Sequence, residues 1–365
     1  MRRVLLCYRE QHNNSYVGGV VSIMRSYLSH KALFKKNDVI LDSFCYQPDE
    51  KWEYVNSKIA NVSYIFQQRH ALKRILKNDN NVILNIHTSR EFLFFKDVLL
   101  GKMARKDFNV PVVLTVHVGD ISTVFNRISF ARKQLIEDMN KYIDKIVFLT
   151  EHIRQQFVEE GLNPEKTEAL YNFHDLQPSN NKLQRTSNMH IMYMGALHRE
   201  KGVIELLTAL TNLHNLDFHI DICGKLTDQS IKDEFERLTK ELGEKVGIHG
   251  YVSGEEKTEL LNRADIFILP SYHEGMPLVI LEALAAGCAI ISTPVGGTPE
   301  ILNEDNVVWI KVKSPRDIEE AVKKMCDYPE VMTQFQQANH ELSFNFTLER
   351  NITNLCRIYS EAAGE

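Results

Sequence analysis

The chain has 365 residues, of which 44% are apolar, 25% charged and 9% aromatic, a balance that excludes disordered and fibrous classes and points to two cores. Six scattered cysteines without a CxxC pair exclude a disulfide framework or zinc site and imply a reducing compartment. The net charge of −5 hides an asymmetry: residues 1–150 hold 23 Lys+Arg against 14 Asp+Glu, the remainder 20 against 34.

The first apolar run, in RVLLCY (3–8), is too short for the core of a secretion signal and predicts a buried strand. No run approaches the roughly 18 residues of a membrane span, so the chain is expected to be cytoplasmic or peripheral, and the sequons at Asn61, Asn345 and Asn351 to be chance matches. Runs at 38–44, 81–87, 111–117 and 145–150 follow the first, separated by longer periodic segments. Continuous apolar strands between helices predict βαβ units and a parallel sheet buried on both faces. Within this half, 69–77, 90–108 and 127–133 mix apolar and basic residues. Each reads either as a core-facing helix with solvated Lys and Arg or as a surface that seeks anionic membrane. The polar stretch 177–188 reads as a linker. Strand-length runs then recur at 190–195, 217–224, 245–252, 265–271, 289–295 and 307–312, predicting a second doubly wound sheet. Helical patterns close the chain at 315–327, 329–342 and 347–362, the last with Leu348, Ile352, Leu355 and Tyr359 on one face. The expected division is a basic domain 1–176, the linker 177–188, a second domain 189–342, and a C-terminal helix 343–365 crossing back to the first. Ligands belong at the carboxyl ends of the strands, in the cleft between the domains.

Two motifs carry chemistry. In YMGALHREKG (193–202) a strand ends at Gly195 and a helix starts near Gly202, which sets Arg199 and Lys201 before a helix N-terminus, where anions are favoured. In SYHEGMPLVILEALAAGC (271–288) Pro277 is expected as the first helical residue and Gly287 as the stop. Glu274 then lies in the loop, beside the backbone amides of Gly275 and Met276. It reads as a helix-dipole carboxylate or as a ligand-binding one. Glu282 is the one polar residue among the ten from Pro277 to Ala286, inside a helix that should be buried. It reads as the partner of an unidentified arginine or as an acceptor for two sugar hydroxyls.

The segment YHEGMPLVILEALAAGCAIISTPVGGTPEIL resembles the signature of the family 4 retaining glycosyltransferases, which have the GT-B fold of two Rossmann-like α/β domains facing across a cleft. Their E-x7-E motif matches Glu274 and Glu282, and their GGxxE stretch matches Gly296, Gly297 and Glu300. YMGALHREKG, ICGKL, IHGYVSGEE and FNFTLERNITNLCRIY fall where that family has counterparts. So do YVGGV, LTVHVGD and YNFHD in the first half, more loosely.

The resemblance implies roles. Glu282 would bind the ribose hydroxyls. Glu274, with the amides of Gly275, Met276, Pro277's successor Leu278 and the turn at Pro277 itself, would hold the donor sugar and its phosphates. Lys201 would neutralise the departing diphosphate. Gly18 and Gly19 would approach it, His117 would contact the sugar, and Asn172 belongs to the same donor set. Backbone near Gly195, Gly224, Tyr251 and Val252 would meet the nucleotide. Two positions depart from the family: Ala196 stands where arginine is frequent, leaving Arg199 as its candidate substitute, and Asp120 is separated from His117 by Val118 and Gly119 and is left out of the catalytic set.

With no Asp-x-Asp, neither metal nor cofactor is expected, and Lys201, Arg199 and helix termini would take the leaving-group charge. The implied activity moves a hexose or N-acetylhexosamine from a nucleotide sugar, UDP-linked, to a glycan or polyprenyl-diphosphate-linked acceptor in cell-surface polysaccharide synthesis. No nucleic acid is implicated. The alternatives are a nucleotide-sugar-binding protein without catalysis, a GT-B epimerase or phosphorylase, and an oxidoreductase. The last is disfavoured because Gly18 and Gly19 lack a third glycine and lie about ten residues beyond the first strand, too far for the dinucleotide turn.

Overall fold

The computed structural model describes residues 1–9, 19–46, 58–89, 91–125, 131–176 and 188–365. Gly18 and all of the expected linker except Asn188 lie outside them. Strands β1 (Arg2–Arg9), β2 (Val39–Tyr46), β3 (Ile83–Thr88), β4 (Val112–Val116), β5 (Lys145–Phe148) and β6 (Thr167–Ala169) form one parallel sheet, ordered β2-β1-β3-β4-β5-β6. Strands β7 (Met189–Met194), β8 (Phe218–Cys223), β9 (Val246–Gly250), β10 (Ile266–Leu269), β11 (Ala289–Ser292) and β12 (Val307–Trp309) form a second, ordered β12-β11-β10-β7-β8-β9. Every apolar run expected to be a strand is one. In β4, β10 and β11 every residue is buried, as helices on both faces of a parallel sheet require. The expectation missed β6, whose Thr-Glu-Ala is half-exposed at a sheet edge and carries no apolar signal.

The chain divides into two compact units, Met1–Tyr171 with Glu349–Glu365, and Asn172–Leu348. In the first, Leu84, Ile86, Val112 and Leu114 pack with Phe94, Val98 and Met103 of the helix Glu91–Phe108. That helix contains residues 91–108 of the basic stretch, and three of its cations are committed within the unit, while Lys106 is exposed. Lys96, 1% exposed, sits 2.9 Å from Asp97; Lys102 reaches Asp138 at 2.8 Å and Arg105 reaches Asp144 at 3.3 Å. Its apolar side belongs to the core, so of the two readings this stretch takes the core-facing one. From Glu349 onward the helix Leu348–Ala362 belongs to the same unit. Ile352, Leu355, Ile358 and Tyr359 are buried, and the Tyr359 hydroxyl accepts from Asn85 Nδ2 at 2.8 Å. Asn351, one of the sequons, is buried and accepts from the Tyr27 hydroxyl at 2.6 Å.

In the second unit Ile191, Tyr193, Ile220, Ile222, Ile266 and Ile268 pack with helices Val203–Thr211, Lys232–Leu242 and Pro315–Asp327. Asp221, on the other face, accepts from His249 and from Arg263, each at 2.7 Å, and so ties β8 and β9 to the helix Gly254–Arg263. The strand order is that of dinucleotide-binding folds, with its reversal between β7 and β10, where such sheets bind ligands beyond the strands' carboxyl ends. In the first sheet the reversal falls between β1 and β3.

Candidate functional site

After β7 the chain turns at Gly195 and reaches the 3₁₀ turn Arg199–Lys201, whose capping residue His198 accepts from the Glu200 amide at 3.2 Å. Gly202 follows at φ +70°, and a Cβ there would lie 2.1 Å from the Pro270 carbonyl oxygen, so the turn after β7 seats against the end of β10 as only glycine permits. The Tyr272 amide donates to the Glu200 carbonyl at 2.8 Å and joins the same two loops. Across this reversal point Lys201 Nζ meets Glu274 Oε1 at 2.7 Å, with the carboxylate side chain only 10% exposed. Two groups picked from separate motifs are thus one ion pair.

The Glu274 loop is held from several sides. Gly296, at φ +57°, packs so closely that a Cβ would stand 2.0 Å from the Glu274 carbonyl oxygen, and the Gly297 amide donates to Gly275 O at 2.6 Å. Asn172 Nδ2 donates to Met276 O at 2.8 Å, with both residues buried. Pro277 has extended backbone, φ −71° and ψ 117°, and caps the helix Leu278–Ala285 instead of opening it. The first helical residue is therefore Leu278. Its amide and that of Val279 remain at the helix mouth, where orphan N–H groups and the dipole favour an anion. Gly287, at φ +63°, ends the helix as expected.

Glu282 is buried in that helix, and Lys257 Nζ, from the helix Gly254–Arg263, meets its Oε1 at 2.7 Å. Burial pushes the carboxyl above its ordinary range and the lysine pulls it back. Burial would lower the Lys257 ammonium, but Glu282 outweighs it and holds the ammonium above its usual value. The partner left open between readings is this lysine, not an arginine. A cavity of about 470 Å³ beside it is lined by Asp175, Leu176, Gly254, Lys257 and Thr258, a volume within the range of small-molecule sites. Near it, the Gly224 amide donates to Gly250 O at 2.6 Å, Val252 is buried, and the exposed Tyr251 ring lies 6.0 Å from Lys225 Nζ. Arg199 is placed otherwise: its guanidinium is half-exposed and pairs with Glu234 at 3.4 Å. Among the described residues no group of three or more His, Cys, Asp or Glu is arranged to hold a metal ion.

In the first unit His117 follows β4, at the carboxyl end of the strand, and Gly19 opens the helix Gly19–Ser29. His117 Nε2 lies 2.8 Å from Nδ1 of His87, the buried penultimate residue of β3, and the two rings meet edge to edge with their planes 29° apart. Burial lowers His117 to about 4 and His87 well below its ordinary value. Asp120 accepts from the Ser122 amide at 2.8 Å, just ahead of the short helix Ser122–Phe125.

Two family models match end to end, Glycosyltransferase Family 4 over residues 44–178 and Glycosyl transferases group 1 over residues 178–341. The chain belongs to the group 1, family 4 glycosyltransferases. It is an enzyme, a glycosyltransferase of GT-B fold. An uncharacterized glycosyltransferase of Methanocaldococcus jannaschii is 23% identical over 366 residues, which cover 95% of each chain. Sucrose-phosphate synthase from Thermosynechococcus elongatus superposes with a TM-score of 0.78 at 15% identity, covering 100% of both chains. HepE of Anabaena, crystallised with UDP-glucose, superposes with a TM-score of 0.70 at 14% identity over 98% of each chain.

Lys257 and His87 escaped the sequence reading of this glycosyltransferase. A buried glutamate signals that some cation must meet it, but nothing in the spacing of GEEKTELLNR marks Lys257. His87 ends the apolar run NVILNIH and looks like any strand residue.

Proposed function

We propose that this glycosyltransferase is a retaining, UDP-sugar-dependent enzyme that transfers a hexose or N-acetylhexosamine to a glycan or lipid-linked acceptor of cell-surface polysaccharide. The observation that carries the donor assignment is the Lys201–Glu274 pair at the sheet's reversal point, with the mouth of the Leu278 helix beside it. A cation and fixed amide dipoles at one point suit a diphosphate whose charge grows as it departs. HepE, of the same fold, binds UDP-glucose, which supports a UDP-linked donor.

In this mechanism Lys201 exchanges part of its contact with Glu274 for the diphosphate, and Glu274 accepts from hydroxyls of the donor sugar. Glu282 accepts from the ribose, and the cavity beside Lys257 takes the nucleoside. His117 hydrogen-bonds the sugar. The acceptor hydroxyl oxygen bonds to the anomeric carbon on the face from which the phosphate leaves. The anomeric C–O bond breaks, its electron pair goes to the phosphate oxygen, and that oxygen takes the hydroxyl proton. Because Lys201 and the amides at Leu278 and Val279 carry the leaving-group charge, we expect turnover to persist in EDTA.

No described helix is long and apolar enough to cross a membrane. A lipid-linked acceptor would then be met from the membrane surface, through the basic first unit. With Lys96, Lys102 and Arg105 committed within the unit, that contact rests on the exposed Lys106 and on the exposed Arg69, Arg74 and Lys77 of the helix Lys58–Asn78. The deciding experiment is thermal protection of the purified protein by a panel of UDP- and GDP-sugars. We expect a rise in Tm with at least one UDP-sugar and slow release of UDP; protection by no nucleotide sugar would overturn the function.

A further inference from the structure

Resting on the assignment of His117 to the donor sugar, we propose that His87 is a positioning residue that fixes His117 in its Nδ1–H tautomer. His117 then meets the sugar as a hydrogen-bond donor and not as a base.

The contact between His87 Nδ1 and His117 Nε2, at 2.8 Å, has room for one proton. Burial depresses both imidazoles, so at neutral pH each ring carries a single proton and only two arrangements exist. Either His87 donates from Nδ1 to His117 Nε2, or His117 donates from Nε2 to His87 Nδ1. The other nitrogen of His87 decides between them. His87 Nε2 is buried and has no hydrogen-bond partner among the described residues. In the second arrangement that nitrogen would bear a proton, a buried donor without an acceptor, which folded proteins tolerate least. In the first it is a bare lone pair, the smaller penalty.

The proton of His87 therefore sits on Nδ1 and points at His117. His117 Nε2 is occupied as an acceptor, and its own proton is on Nδ1, the nitrogen turned away from His87 on a partly exposed ring. The backbone supports the same geometry, since the His117 amide donates to the Thr88 carbonyl at 2.8 Å and clamps the end of β4 to the end of β3. An N–H facing outward donates to a sugar hydroxyl or ring oxygen; it has no lone pair with which to take a proton from an acceptor.

The test is two-bond ¹H–¹⁵N correlation on ligand-free protein labelled with ¹⁵N-histidine, with the His117 signals assigned by their loss in His117→Asn. We expect a protonated Nδ1 and a bare Nε2 at His117. In His87→Phe the signals should shift toward a mixture of tautomers, and kcat should fall roughly tenfold to a hundredfold with KM for the donor little changed. His87→Asn, whose amide nitrogen can replace Nδ1 as donor, should recover most of kcat. An Nε2–H tautomer at His117 in the wild-type protein overturns the proposal, as does a folded His87→Phe that keeps both tautomer and kcat. Should His87→Phe fail to fold, the wild-type spectrum still decides. Because that spectrum needs no donor, its outcome is separate from whether any nucleotide sugar binds.

Discussion

Glu282 and Lys257 form a pair whose members have unequal claims on the interior. The glutamate is buried within an apolar helix, while the lysine side chain retains 20% exposure. Removing the lysine as Lys257→Met strands a carboxylate, and we expect a loss of about 2 kcal/mol near pH 8, measured from urea midpoints. The sign with pH follows from the raised Glu282 carboxyl. A carboxyl whose folded pKa exceeds its unfolded one gives its full stability below the unfolded value and loses it as pH rises through the folded one. Without Lys257 the folded value climbs further, so the deficit should be largest at pH 8 and shrink towards pH 5. The double variant Lys257→Met, Glu282→Gln should be less unstable than the single at pH 8. A pH-independent deficit would show that the two side chains are not coupled.

At the scale of elements, apolar runs told where strands lie because a parallel sheet buried on both faces leaves no room for polar alternation. RVLLCY and PVVLTV were legible for that reason; Thr-Glu-Ala of β6, half-exposed, was not. The motif residues Lys201 and Glu274 were legible singly, but their pairing depends on β7 and β10 being neighbours, which strand order settles and local sequence does not. Pro277 misled by one position, since proline suits either the cap or the first turn and only its ψ distinguishes them. The stretch 90–108 left two readings because Lys96 finds its counter-charge in the adjacent Asp97 inside the core, an arrangement no periodicity announces. Gly202 is the element-scale hinge of the site, seating the Lys201 turn on β10. Gly202→Ala should cost about 2–4 kcal/mol from backbone strain and collision with Pro270 O. It should also lower kcat in protein still folded at 25 °C. Retention of wild-type turnover would separate that seating from catalysis.

At the scale of the whole molecule, the first unit is built from both ends of the chain. Tyr359→Phe leaves Asn85 Nδ2 without its acceptor in a buried site and should cost about 1–2 kcal/mol, read by thermal melting. Deleting residues 349–365 removes Ile352, Leu355, Ile358 and Tyr359 together. We expect amide exchange to show lost protection across residues 1–171 while 172–348 stay protected. Unchanged protection in 1–171 would mean that the last helix is dispensable packing.

That split assembly reverses the usual order of maturation on the ribosome. Domains ordinarily fold as they emerge, the first-made first. Here the segment Met1–Tyr171 lacks its closing helix until Glu349–Glu365 has been made, whereas Asn172–Leu348 is complete as soon as it clears the exit tunnel. The later-made unit should therefore be native before the earlier one, and the nascent first unit must hold its unsealed core in solution for the length of a whole second domain's synthesis.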